Sequence, residues 1–345
     1  VGLVALLAGC ASSPLFSEQD KALAGTHWKA PVPVSGGPAI EDARTWWQAW
    51  NDPALFGLIQ KALNANTDVR TALADMKAAA ALSDAATADL FPTASLSGDA
   101  SRQRRSGTTT ESYGLQAGAS WSFSLVGGNI AARRAAAREA MASALSVEDT
   151  KIAVASEVAQ NYVNWRLARV KTASARRALK NYEKVLEIAS WRLKAGLATQ
   201  TEVDQALSER NSAAAKIPSY EASQTKYKNA LARLCVINVA DIADPQEETI
   251  PTSPASLAVL IPAQTLQQRP DMRAAEYAVL AASDRLYEAR SQWFPTLKIT
   301  GNLGTQAATI GALGASGTGI AALVGALSMP LWNWNEQVPV SYTHL

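Results

Sequence analysis

Asp68-Val69-Arg70 and Phe91-Pro92-Thr93 return as Asp271-Met272-Arg273 and Phe294-Pro295-Thr296, each residue displaced by 203 positions (271 − 68). Within each copy the Asp and the Phe lie 23 positions apart (91 − 68 and 294 − 271). Ala72, Ala78, Ala79, Ala86 and Gly98 match Ala275, Ala281, Ala282, Ala289 and Gly301 at the same offset. Alanine identities come cheaply in this chain, but an ungapped Asp-x-Arg…Phe-Pro-Thr spacing does not. An internal duplication is therefore the first fact about the fold.

In both copies the hydrophobic period changes at Phe-Pro-Thr. Before it, from about Asp68 to Leu90, the pattern is helical, and Pro92 disfavours helix in the residue before it. After it the period is two. In 93–101, Ala94, Leu96, Gly98 and Ala100 alternate with Thr93, Ser95, Ser97, Asp99 and Ser101. The same alternation runs through 113–125 and 296–304, and the stretch at about 318–331 is apolar on both phases. Strands of that length with one apolar face fit a transmembrane β-barrel. A soluble sheet half-buried under helices is the alternative, and no layer long enough to cover it is evident. Open edges leave backbone groups unpaired in lipid, and four strands do not close a channel, so several chains must share one barrel. The expected membrane pairs are 93–125 and 296–331. Arg102–Gly107 reads as the loop joining the first two strands, away from the helices, either solvated or against lipopolysaccharide phosphates.

From Thr93 to Ile217 there is no proline, and most of this stretch reads as one helix from near Asn129 to near Lys194. At 1.5 Å per residue it is on the order of 100 Å long. Val158, Trp165, Thr172, Leu179, Leu186 and Leu193 fall seven apart, with Val154, Asn161, Ala168, Ala175, Tyr182 and Ala189 four before each. This imperfect a/d seam predicts coiling around partners. Gly196 ends the helix, Thr199 or Thr201 caps a return helix from about Glu202 to Leu234, and Pro218 is expected to kink or break it. Residues 129–234 thus form a long αα-hairpin. Gly127-Gly128 reads as a strand-to-helix turn. Ahead of the first repeat, Asp52-Pro53 suits a helix start, and Trp46, Trp47 and Trp50 read as a packing wedge.

The chain has 345 residues, 18% charged, with a net charge of +2. That balance lacks the basic stripe of a nucleic-acid binder. Two Cys and two His, with His27 in a linker and His344 in the tail, leave no Cys/His metal site and no Ser/His/Asp set. No phosphate-binding glycine loop is present, so neither catalysis nor a cofactor is expected. Cys235 reads as a buried small hydrophobe. Residues 1–9 read as the remnant of a signal peptide. Leu7-Ala8-Gly9-Cys10 resembles a lipoprotein lipobox, which implies an acylated Cys10 and, with Ala11 following, export to the outer membrane. Residues 10–45 then form a lipidated N-terminus and extended linker. At the other end, 338–345 resembles translated adaptor sequence and is left out of the fold reading.

Trp46-Trp47…Asp52-Pro53-x-Leu55, Gln268-Arg269-Pro270-Asp271-x-Arg273-x-Ala275-Glu276, both Phe-Pro-Thr starts and Gly196-Leu197-Ala198-Thr199-x-x-Glu202-Val203 together resemble the outer membrane efflux protein family, in its lipoprotein branch. The resemblance covers Cys10 to about Gln337, with one repeat at about 54–234 and a second, incomplete, at about 257–337, inside a domain of 46–345. It implies a mixed α and transmembrane β fold: a homotrimeric 12-stranded β-barrel, four strands per chain, continued by a long periplasmic α-helical barrel. It implies a passive, gated conduit that exports small molecules such as drugs or metals. The partners would be a periplasmic adaptor, an inner-membrane transporter that is proton-driven, and outer membrane lipid. Gly196, Leu197, Ala198, Thr199 and Glu202 would form one adaptor-contacting tip. A second hairpin, carrying the gating residues, would follow residue 337. Asp68, Arg70, Phe91, Pro92, Asp271, Arg273, Phe294 and Pro295 would mark the repeat junctions. A type I secretion channel is the alternative within the class. A periplasmic adaptor lipoprotein and a purely structural lipoprotein are alternatives outside it.

Overall fold

The computed structural model describes residues 46–245, 249–251 and 269–330. The elements are α1 (Pro53–Ala65), α2 (Thr67–Ala88), β1 (Thr93–Arg105), β2 (Thr108–Ser124), α3 (Gly128–Lys194), α4 (Gln200–Cys235), α5 (Pro270–Ser291), β3 (Thr296–Ala307) and β4 (Gly319–Ser328). The duplication holds to the residue. Both α2 and α5 are 22 residues long, and their ends sit 203 positions apart. The Asp of each Asp-x-Arg is the second helical residue, where a carboxylate favours the positive end of the helix dipole.

The chain divides into two compact units: Asp75–Leu145 with the described residues from Asp271 on, and the described residues up to Ala74 with Ser146–Pro270. The boundaries fall inside α2 and α3, so the units cut across the repeats.

In the first unit, β1-β2-β3-β4 form an antiparallel meander with β1 and β4 at open edges. β1 continues through Arg105, so Arg102–Arg105 belong to the strand rather than to the expected loop. Pairing of Arg102–Arg105 with Thr108–Glu111 overrides their weak strand preference. The turn is Ser106-Gly107 alone, with φ of 50° and 87°, the doubly positive geometry that matches strand twist in a two-residue hairpin. Ala131 and Ala135 in the first turns of α3, and Ala281 and Ala289 of α5, are buried. A Cβ on Gly128 would collide with the Ser291 hydroxyl, which is why the helix starts on glycine. The buried Asp284 carboxylate takes Arg134 at 3.3 Å and Arg138 at 2.7 Å, and Arg138 also donates to the Leu280 carbonyl at 2.7 Å. Tyr287 donates its hydroxyl to the Val126 carbonyl at 2.9 Å and fixes the β2–α3 turn.

In the second unit the core is built from three helices. Trp47, Leu55, Leu58, Ile59 and Ala62 pack with Val154, Val158, Tyr162 and Trp165 of α3 and with Leu231, Leu234 and Cys235 of α4. The Trp cluster is the packing wedge: Trp47 is buried, and Trp46 meets both Trp47 and Trp50 edge-on. Asp52 caps α1, accepting from Ala54 and Leu55 N–H. Asn66 caps α2 through Asp68 N–H at 2.8 Å and donates to the Leu234 carbonyl at 3.1 Å, tying the α1–α2 joint to α4. The heptad seam of α3 faces α4. Val158, Trp165 and Thr172 are buried, whereas Leu179, Leu186 and Leu193 are half-buried.

Of the expected kink or break at Pro218 the break is absent, because α4 runs through it without interruption. On both sides of Pro218 α4 is tied to α3, Arg210 with Glu183, then Arg176 with Glu221 and Gln224 with Thr172, which offsets part of the cost of the lost backbone hydrogen bond. The helix before each Phe-Pro-Thr ends earlier than expected, at Ala88 and Ser291, because a turn of i→i+3 bonds intervenes before the proline.

Candidate membrane sheet and hairpin tip

The register sorts the sheet into two faces. Directly paired residues share a face, so one side carries the rows Phe123–Leu297–Leu327, Trp121–Ile299–Gly325, Ala94–Ala119–Gly301–Leu323, Leu96–Ala117–Leu303–Ala321, Gly98–Leu115–Thr305–Gly319 and Ala100–Tyr113–Ala307. Its large side chains are uncovered: Leu96 is 74% exposed and Leu323 is 80% exposed. Six apolar rows left open are too expensive for water. The opposite face carries Thr93, Ser95, Ser97, Asp99, Gln116, Ser120, Lys298, Thr300 and Asn302. Only β4 is apolar on both faces, presenting Ile320 and Val324 on the polar side.

From Tyr113 to Phe123 the apolar face rises about 34 Å along the strand at roughly 3.4 Å per residue. A barrel tilt of about 35–45° reduces this to about 25 Å, the height of an outer-membrane apolar band. Aromatic rings mark both rims. Tyr113 stands at one. At the other, Trp121 and Phe123 lie 4.7 Å apart, with Phe91 and Trp293 exposed nearby in the chain turns.

The repeat junctions build the rim next to the helices. Leu90 N–H and Phe91 N–H bond the Thr87 and Ala88 carbonyls; Trp293 and Phe294 bond Arg290 and Ser291 in the same way. Pro92 and Pro295 follow, and then each Thr of Phe-Pro-Thr donates its hydroxyl across the strand pair, Thr93 to Ser120 at 3.2 Å and Thr296 to Ser328 at 3.4 Å. Trp121 Nε1 donates to the Leu90 carbonyl at 2.9 Å. Asp68 and Arg70, by contrast, lie exposed in the first turn of α2, and Arg273 is exposed on α5, so the Asp-x-Arg pairs and Phe-Pro-Thr do not converge on one site.

The expected tip is a tight turn between α3 and α4. Gly196 adopts φ 73°, its N–H bonds the Leu193 carbonyl, and Leu197 N–H reaches back to the Arg192 carbonyl at 2.8 Å, a Schellman ending. Thr199 caps α4 in a reciprocal capping box with Glu202, so α4 begins at Gln200. Leu197 projects at 69% exposure, and Ala198 is half-buried behind it. Val185, Ile188 and Trp191 leave further apolar surface open on α3. Cys10 lies outside the described residues.

Two polar clusters escaped sequence reasoning. Tyr162 donates to Asp52 at 2.9 Å and accepts from Arg166 at 2.9 Å, and Arg166 holds the Thr249 carbonyl at 3.0 Å. Burial, then the Asp52 bond, pushes the Tyr162 phenol up to about 12. Asp284 with Arg134 and Arg138 is the other. The only signals were an i,i+4 Tyr-Arg pair and an acid in helical phase with Ala281. Cys235 is buried, donates to the Leu58 carbonyl at 3.3 Å, and is pushed up to about 11 by burial, so it is an inert thiol.

Residues 58–235 and 261–337 match the family described as outer membrane efflux protein. Toluene efflux pump outer membrane protein TtgC of Pseudomonas putida is 28% identical over 343 residues, covering 95% of this chain and 70% of that protein. Probable outer membrane lipoprotein SilC of Salmonella typhimurium is 27% identical over 350 residues, covering 96% and 73%. The crystal structure of the outer membrane protein VceC from Vibrio cholerae superposes with a TM-score of 0.80 at 23% identity, over 88% of this chain and 74% of that one. With its apolar-faced open sheet and its long helical hairpin, the chain belongs to the outer membrane efflux protein family, a family of channels located in the bacterial outer membrane.

Proposed function

We propose that the chain is one third of a homotrimeric export conduit. The observation that carries this reading is the meander itself: an apolar face about 25 Å high on a sheet whose edges, β1 and β4, are both unpaired. In lipid those edges must be satisfied, and β1 of one copy pairing with β4 of the next does so. Three chains of four strands then give a 12-stranded barrel with the serine- and threonine-rich face lining the lumen. The exposed apolar surface on α3 at Val185, Ile188 and Trp191 suits packing between copies in a periplasmic helical barrel.

The hairpin tip, Gly196 to Glu202, is the surface offered to a periplasmic adaptor, which in turn joins an inner-membrane, proton-driven transporter. Energy enters through that partner, and the chain supplies a passive, gated path. Relatives named for toluene efflux and for an outer membrane lipoprotein fit small-molecule export and acylation of Cys10. The repeat junctions act as the hand-over between periplasmic helices and membrane strands.

Deleting the gene should raise cellular accumulation of pump substrates, and the wild-type copy should restore export. A Cys10→Ala copy should lose palmitate labelling and keep its oligomer. Unchanged accumulation after deletion would remove the export reading, and palmitate labelling that persists in Cys10→Ala would remove the acylation site.

A further inference from the structure

The apolar face does not simply fade at its outer rim; on the same phase it turns cationic. Beyond the Ala100–Tyr113–Ala307 row come the rows Arg102–Glu111 and Arg104–Thr109. They lie about 7 and 14 Å further along the strand, or about 5 and 10 Å along the membrane normal at a barrel tilt of roughly 45°. That is headgroup depth, reached by side chains on the lipid-facing phase. Arg105, one position on, faces the other way.

We propose that this hairpin end binds a phosphate-bearing glycolipid of the outer leaflet, with Arg102 and Arg104 as its phosphate ligands. The inference rests on the sheet being embedded in the membrane. Four observations support it. Arg102 pairs with Glu111 at 3.4 Å but keeps a side chain 75% exposed, and Arg104 has no ion pair among the described residues. The two-residue Ser106-Gly107 turn fixes the backbone that carries both arginines, so no loop has to be ordered to bind. Thr109 is paired directly with Arg104 and adds a hydroxyl on the same face, while Glu111 stands opposite Arg102. The second hairpin is uncharged from Ile299 to Pro330, so the cations are a property of this hairpin and not of the outer rim in general.

Guanidinium forks hold phosphate oxygens bidentately, and the acyl chains of the same molecule would lie along the Leu96, Leu115 and Leu303 rows below. This continuity selects a lipid over free phosphate.

The test uses the full protein as its purified oligomer, with bound lipid counted by native mass spectrometry. The probes are lipid A with its phosphates, lipid A with the phosphates removed, and inorganic phosphate. Arg102→Gln with Arg104→Gln should weaken binding of phosphorylated lipid A roughly tenfold or more, and Lys184→Gln should leave it unchanged. Phosphate-free lipid A should bind poorly. Equal affinity in the double variant, equal binding of the phosphate-free lipid, or displacement by equimolar inorganic phosphate would overturn the proposal. Planar-bilayer conductance separates the two readings. Persisting conductance with unaltered lipid binding sinks this site alone, whereas a wild-type protein that never conducts sinks the membrane reading beneath it.

Discussion

Tyr162 donates its hydroxyl to the Asp52 carboxylate at 2.9 Å, joining residues 110 positions apart in the chain. Asp52 is at once the cap of α1 and the acceptor for α3, so one carboxylate fixes where the first helix docks on the hairpin. Tyr162→Phe should cost about 1 kcal/mol, because Asp52 keeps its two backbone donors and Arg166 keeps Thr249. The phenol titrates at about 12 in the fold against an ordinary 10.0. A raised acid pKa gives stability that is complete below the unfolded value and is lost as pH climbs through the folded one. Thermal melts should therefore show wild type losing stability between about pH 10 and 12 and the Phe variant losing less over that window. Parallel curves would remove Tyr162 from the alkaline transition.

Gly304 of β3 pairs with Gln116 of β2. A Cβ there would stand 2.5 Å from the Leu115 carbonyl oxygen and 2.9 Å from Gln116 Cα, both backbone atoms that cannot swing aside. Gly304→Val should open the seam between the two repeats and reduce heat-resistant oligomer on gels. Gly311→Val meets open space and should not. Equal oligomer yield from both variants would contradict this account of the seam.

Asp284 is a buried carboxylate between two arginines that are a third to a half exposed. Asp284→Ala should destabilise by about 2 kcal/mol, less than for a fully buried pair, because the arginines can turn to water. Asp284→Asn should recover part of the loss by keeping an acceptor. The readout is chemical denaturation followed by the fluorescence of a reporter on α5.

At the tip, Gly196 holds a left-handed conformation at φ 73°, so Gly196→Ala should cost about 1 kcal/mol through strain alone. Leu197→Asp alters no backbone and adds charge to a 69% exposed side chain. It should weaken adaptor capture and export while the oligomer persists. Full export by Leu197→Asp would take the tip out of the contact.

The duplication made much of this fold readable. An offset of 203 residues placed α2 and α5 and the first residues of β1 and β3, because the same local chemistry recurs in both copies. The helix end at Gly196 was legible because a left-handed glycine acts locally, and the next start was narrowed to Thr199 or Thr201, of which the structure selects Thr199. The length of β1 was not. Arg102 to Arg105 look like a loop until Thr108 to Glu111 pair with them, and pairing is a tertiary fact. A break at Pro218 was expected because its cost is local, whereas the contacts that hold α4 together around it lie on α3. Tyr162 with Asp52 and Asp284 with its arginines join distant segments, and single-chain periodicity has no access to such pairs.

The central claim is that alternate residues of this sheet face lipid and lumen. Single cysteines at Leu96, Leu115 and Leu303, and at Ser97, Gln116 and Asn302, in the membrane-reconstituted protein test it most directly. Cys235 is buried and supplies little background. A membrane-impermeant thiol reagent should label Ser97→Cys, Gln116→Cys and Asn302→Cys and spare Leu96→Cys, Leu115→Cys and Leu303→Cys. Labelling of both sets at the same rate would contradict a membrane-embedded sheet.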